Sequence, residues 1–491
     1  MKRLLVLLAL LLSHPALAFL PHGGGIVSGG GPPTPVIIQQ ASTTVNPGGA
    51  GFNGNNYVRQ LPNAIQANDL LYVGVSYPHG TFSSITDTNG TTFGSPICTA
   101  DAGVGNYTTA VWLVPAMPAG RDFVTVNLTS LTRPFQMTLV EFNNIATASP
   151  VNGTASCVAN SAINAGTSVV NPGSLTPSNN DAAGGTLVYS YLAMASGTGA
   201  GNPTSYTAAS GYTQVDQDTA WNSNTSFYHA TQMFLQRTAA ATTPSMTIAG
   251  NTSDHFNVIT VPLKVASAGG SLPSTIYVRK LLDLTAAPIA PANFNWVLQA
   301  QFTGNLRIMD GSFLQGFGWS FQTPAVTDSD GNTWLSADSN KFIWYCFCAA
   351  STGNTFVTVH YSSAANTTPN TTVRMFDVLN ATAFDVGAAL APTGSCSSVT
   401  SFGGAPNITP THSNGLVIGH FAPSSYTTGV TSPAGAQYAL VNYTGDADAD
   451  FMNNGDGMAI LYNSTTAAEN WTWTLISFAG STCFAAAAAF H

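Results

Sequence analysis

Charge is what this chain has least of. Only 7% of its 491 residues are Asp, Glu, Lys or Arg, against roughly a quarter in an ordinary soluble domain. The twelve Lys and Arg residues form no cluster, so the footprint that neutralises a nucleic-acid backbone is missing. A basic amphipathic anchor for anionic lipid is missing as well. After the N-terminus, no apolar run approaches the roughly 20 residues of a membrane-spanning helix. Catalytic signatures are equally scarce. There is no G-x-S-x-G nucleophile elbow and no H-E-x-x-H metal helix. The nine histidines are scattered, with His412 and His420 the closest pair, which suits core or surface positions better than a ligand set.

The missing charge is replaced by Gly, Ser, Thr, Asn and Gln, while hydrophobic residues stay at an ordinary 44%. Disordered chains are poor in aromatics. This one has 26 Phe, 16 Tyr and 8 Trp, enough to fill substantial cores. The composition is that of an exported β-protein wetted by hydroxyls and amides.

The first residues support export. Met1-Lys2-Arg3 is positive, Leu4 to Leu12 is apolar, and Ala16-Leu17-Ala18 supplies small residues for cleavage. This is the grammar of a secretory leader over residues 1–18, and it predicts a secreted or surface location on a cell or virion. Residues 19–35, rich in Gly and Pro, read as a tether. Six cysteines in an exported chain favour disulfides. Cys346 and Cys348 flank one residue, so on a strand they share a face and are expected to seek distant partners or stay free rather than bond to each other.

Two blocks of the sequence match in order. Tyr57-Val58-Arg59-Gln60-Leu61 returns as Tyr277-Val278-Arg279-Lys280-Leu281. Ile85-Thr86-Asp87 through Phe93 returns as Val326-Thr327-Asp328 through Trp334, and Phe123-Val124-Thr125-Val126 as Phe356-Val357-Thr358-Val359. Glu141 aligns with Asp377, Cys157 with Cys396, and Leu187-Val188 with Leu416-Val417. Aligned this way, the second block has about 20 extra residues, holding Arg307 to Ser320. Short segments rich in Val, Ile, Thr, Tyr and Phe, broken by Gly, Pro and Asn-Gly, predict strands and turns. The fold class is therefore all-β, with two tandem antiparallel β-sandwich (jelly-roll-like) domains over 36–267 and 275–491, joined by a Gly/Ser/Pro linker at 268–274.

The landmark order resembles a module of exported bacterial proteins of uncharacterised function and of phage tail-associated proteins. The matching landmarks are an entry strand like Ala67 to Val75, a turn like Thr327 to Trp334 and a strand like Leu139-Val140-Glu141-Phe142. The resemblance implies an antiparallel β-sandwich serving as a surface, fibre or adhesion module. In the second block the entry strand is read as Phe294 to Gln299.

Three groups of residues are the candidates for chemistry. Asp446, Asp448, Asp450 and Asp456 crowd together, and alternate carboxylates on an extended segment point one way, which suits Ca²⁺ if any ion binds, the plainer reading being a solvated polar loop; no other cofactor is expected. Trp221 with Tyr228, and Trp319, offer rings on which the apolar face of a sugar could stack. Glu141 and Asp377 are the only acids that hint at paired carboxylates, and their duplicated position favours a structural role; no residue is assigned as catalytic. The expected function is a structural or adhesive surface protein whose partner is a surface glycan or another surface protein, with oligomers allowed and nucleic acid excluded. Carbohydrate binding is the alternative, and a glycan hydrolase a more distant one.

Overall fold

Strands that are apolar at every position imply sheets covered on both faces, and strands that alternate imply sheets with one wet face. Both kinds occur here in a repeating order. The computed structural model describes the chain from Val36 to His491 apart from connecting segments, the longest being 46–55, 196–204, 312–320, 362–370 and 441–456. The predicted leader and tether lie outside the described residues. Every described element is a strand, a bridge or a turn.

The thirty-two described strands fall into four successive groups of eight. The first holds β1 (Val36–Val45), β2 (Asn56–Gln60), β3 (Leu70–Pro78), β4 (Phe82–Asp87), β5 (Cys98–Asp101), β6 (Tyr107–Val114), β7 (Phe123–Leu128) and β8 (Phe135–Asn143). The second holds β9 (Val158–Asn164), β10 (Ser168–Val170), β11 (Thr186–Ala195), β12 (Ser205–Thr207), β13 (Thr213–Asn222), β14 (Thr225–Gln236), β15 (Met246–Ala249) and β16 (Asp254–Lys264). The third holds β17 (Tyr277–Ala286), β18 (Asn293–Leu298), β19 (Asn305–Gly311), β20 (Phe321–Asp328), β21 (Leu335–Ser336), β22 (Ile343–Cys348), β23 (Thr355–Tyr361) and β24 (Thr371–Leu379). The fourth holds β25 (Phe384–Gly394), β26 (Ser401–Gly403), β27 (Gly415–Pro423), β28 (Val430–Thr431), β29 (Tyr438–Leu440), β30 (Gly457–Asn463), β31 (Thr472–Leu475) and β32 (Thr482–Phe490).

Each group repeats one connection pattern. Its first, eighth, third, sixth and fifth strands make a larger sheet, and its second, seventh and fourth make a smaller one. In the first group these are β1-β8-β3-β6-β5 and β2-β7-β4; in the second, β9-β16-β11-β14-β13 and β10-β15-β12. Within each sheet the neighbours are antiparallel, with a single exception. β1 pairs with β17 in parallel, Gln40 opposite Lys280, and this joins the larger sheets of the first and third groups into one ten-stranded sheet.

The cores follow from this stacking. One cluster, with Trp112, Leu139 and Met137, fills the first group between its two sheets. A second, with Tyr72, Phe142, Tyr189 and Ile259, seals the first group's larger sheet onto the second group's. That is why every residue of β3 and β8 is buried, whereas β7, in an outer sheet, alternates between buried and half-buried positions. The third and fourth groups meet in the same way through Phe376, Ile308, Ile418 and Phe490. The alanine run of β32 is buried throughout from Ala485 to Ala489, a central strand covered by close neighbours.

Three readings of the sequence are corrected by this topology. Tyr57 lies in the outer strand β2, whereas Tyr277 begins β17, whose counterpart is β1. With β17 matched to β1, the supposed insertion holding Arg307 disappears, because β19 is simply the counterpart of β3. Likewise Phe294 to Leu298 belongs to β18, the counterpart of β2, and is not an entry strand. Alternating strands look alike in sequence whichever sheet they join, and this produced the false match. The third correction concerns cysteine: Cys346 is bonded to Cys348, because their shared face turns both sulfurs into the third group's core. Cys98 is bonded to Cys157, which ties β5 to the segment entering β9. Cys396 and the side chain of Cys483 lie outside what the structure describes.

Candidate functional site

With so few charges available, where they go is informative. Six Lys and Arg side chains are described, and four of them, Arg59, Arg279, Arg307 and Arg374, are buried. Among the described acids only Asp101 is exposed. Burying a charge is costly unless it is paired or neutralised, so each buried group should show its compensation.

Glu141 of β8 points into the first group's core and is fully buried. Gln39 Nε2 of β1 donates to its Oε2, and the Gln66 amide donates to its Oε1 at 2.7 Å. Its third neighbour is another acid. Asp69, at the entrance to β3, lies against Glu141 and accepts a bond from Asn143 Nδ2 at 3.1 Å. Burial pushes Glu141 up to about 8; the bonds from Gln66 and Gln39 offset part of this, and Asp69 adds to it. Burial likewise lifts Asp69 to about 6. Near neutrality, two such carboxyls in contact and out of water hold one proton between them.

This pair sits where three groups meet. Asn63, in the β2–β3 connection, donates to Gln39 Oε1 at 2.9 Å and to the Val278 carbonyl of β17 at 2.7 Å. The Tyr462 hydroxyl of β30 donates to Asn63 Oδ1 and accepts from the Val278 amide at 3.0 Å. Burial raises the Tyr277 phenol well above its ordinary range, and the nearby Glu141 and Asp69 add to the rise.

Asp377 of β24 occupies the place equivalent to Glu141, but is compensated differently. Its row partner is Arg307, where Glu141 has Leu71. Burial lowers the Arg279 guanidinium to about 10, and Asp377 counteracts that fall. Arg307 Nη1 also lies 3.9 Å from Asp330 Oδ2. One half of the chain therefore compensates this position with a shared proton, the other with cations.

A second position shows the same divergence. In the first half, Gly74 faces Thr138 across the ladder, and a Cβ on Gly74 would lie 3.1 Å from the Tyr191 ring of the second group. The equivalent residues in the second half are Asp310, Arg374 and His420. His420 Nδ1 lies 2.7 Å from Asp310 Oδ1, and Arg374 Nη1 lies 3.4 Å from Asp310 Oδ2, all fully buried. Phe342 stacks on the imidazole at 4.8 Å. Where the first half has an aromatic ring resting on glycine, the second half has a buried Asp–Arg pair with a histidine against it.

Asp328, Cys346 and Cys348 bring donor atoms within 4.8 Å of one another. Their chemistry does not fit a cation. The two sulfurs are bonded together. Asp328 already accepts from the Asp330 and Asn332 amides, from Asn332 Nδ2 and from Trp334 Nε1 at 3.0 Å. The Arg307 charge is close to the same carboxylate. Asp328 is the anchor of a turn, as the Asp-Ser-Asp-Gly spelling predicts, and Gly331 supplies the positive φ of 75°.

Asp446, Asp448, Asp450, Asp456 and Trp319 lie outside the described residues. Trp221 and Tyr228 are placed by backbone alone: Trp221 pairs with Ser226 and Tyr228 with Thr219, two rows apart in the β13–β14 hairpin. The structure thus brings Trp221 and Tyr228 near each other along one ribbon and brings Glu141 to Asp69, a partner that sequence spacing did not suggest. Asp69, Asp310, Arg374 and His420 were missed. The signal available for them was that each is an ionisable residue inside an otherwise apolar strand or at its mouth. No protein-family model, curated protein or solved structure matches this chain.

Proposed function

We propose that this is an exported structural or adhesive surface protein, built from two tandem modules that are each a pair of jelly-roll-like sandwiches. The observation that carries this reading is the inward placement of the ionisable groups. Catalysis needs titratable side chains that meet a substrate, whereas here Glu141, Asp69, Asp310, Asp377 and His420 are spent on internal compensation. Among the described residues, few charged side chains are left to the solvent. The continuous ten-stranded sheet supports the same reading, since it makes the halves one framework.

Carbohydrate binding is the second reading, favoured by the neighbouring positions of Trp221 and Tyr228 in the β13–β14 hairpin. One experiment separates the two. The purified chain is applied to a broad glycan and polysaccharide array with calcium and with chelator, and glycan release is measured in parallel. A blank array without release is expected. Saturable binding to one sugar class, lost in Trp221→Ala, would replace the structural reading with the lectin one. Release of sugar would overturn both.

A further inference from the structure

The contact between Glu141 and Asp69 stands at a place where the first, third and fourth groups exchange side-chain hydrogen bonds. The β2–β3 connection, residues 61–69, carries both Asn63, which bridges to Val278 and Tyr462, and Asp69, which meets Glu141. Whatever holds Asp69 against Glu141 therefore also seats Asn63 across the joint.

The groups facing the pair can be named element by element. β1 contributes the neutral Gln39; β8 contributes Glu141 itself and Asn143; the connection contributes Asn63, the Gln66 amide and Asp69. β17 contributes the Tyr277 phenol, and β30 the Tyr462 phenol. Arg279 on β17 is directed to Asp377. The charged group acting on Glu141 is Asp69, of like sign, and its charge raises Glu141. Once the shared proton leaves, two buried carboxylates face each other, an arrangement the interior does not tolerate. The counterpart site, with Arg307 beside Asp377, has no such weakness.

We propose that this joint is a proton-held latch: a single proton shared by Glu141 and Asp69 seats the 61–69 connection on β17 and β30, and its loss releases that connection and loosens the second half from the first. The latch is shut in acid and at neutrality and opens on the alkaline side, because the folded protein holds this proton up to a pH of about 8.

The chain contains only two glutamates, so labelling glutamate with carbon-13 at the side-chain carboxyl reads Glu141 directly in the intact protein. One resonance should titrate above neutrality and vanish in Glu141→Gln. Amide exchange, corrected for its intrinsic pH dependence, should accelerate about tenfold or more over 61–69 and 277–279 in the same window, and should stay flat in Glu141→Gln. If that variant does not fold, Asp69→Asn keeps Glu141 and removes the like charge: the Glu141 resonance should then titrate at lower pH and the loosening above neutrality should disappear. A glutamate signal with no titration above neutrality overturns the proposal. So does loosening that is absent in the wild type or unchanged in the variants.

Discussion

At the scale of single residues, the molecule is governed by a few buried polar atoms and the neighbours that satisfy them. Asp310→Ala would strand Arg374 and His420 in a dry interface, and removing one partner of a buried ionic set typically costs about 3–5 kcal/mol. Urea unfolding should show that loss. The equivalent Gly74 tests the opposite failure. Gly74→Ala places a methyl 3.0 Å from Thr138 Cγ2 and 3.1 Å from the Tyr191 ring, so a destabilisation of about 1–3 kcal/mol is expected from overpacking. The acid pair sets the pH dependence. Glu141 and Asp69 are raised from ordinary values of 4.5 and 3.8 to about 8 and about 6. The folded state thus holds protons that the unfolded chain has already released. Stability is fullest below the unfolded values and falls as pH rises through about 8, by up to about 1.4 kcal/mol per pH unit for each group. Thermal midpoints measured from pH 4 to 9, with Glu141→Gln as the control, check the slope and its source. Glu141 was visible in the sequence as a repeated acid in an apolar strand. Asp69 was not, since its nearness to Glu141 is created by sheet pairing across many residues.

At the scale of elements, individual strands were well marked in the sequence and their sheet membership was not. Leu70 to Val75 and Thr186 to Leu192 were legible as buried strands, because stacking on both faces leaves no polar alternation. Phe123 to Leu128 was legible as half-wet for the converse reason. Four recurrences of one eight-strand order left a weaker trace, since a core position asks only for an apolar residue and lets its identity drift. The Cys98–Cys157 bond links the first and second groups across a separation of 59 residues. Closing a loop of that length is worth about 4 kcal/mol in the chain-entropy account. Cys98→Ser should lower the unfolding free energy by roughly that amount in denaturant titration, while Cys346→Ser, which opens a ring of three residues, should cost far less of it.

At the scale of the whole described chain, most of the described charges lie inward. Under the adhesive reading, attachment should change little from low to high salt, whereas ion-driven binding would weaken steeply; a pull-down across a salt series tests this. The parallel seam of β1 and β17 has a further consequence. Along one row of partners, Leu139, Ala41, Leu281 and Phe376 share a face of the ten-stranded sheet. Leu139 and Ala41 pack under the first group's smaller sheet, but Phe376 packs against the fourth group. The halves are therefore turned over relative to each other, and the outer sheets β2-β7-β4 and β18-β23-β20 look in opposite directions. Sheets turned back to back cannot both rest on one flat surface, so under the adhesive reading proposed above, a molecule held by both outer sheets would join two separate bodies.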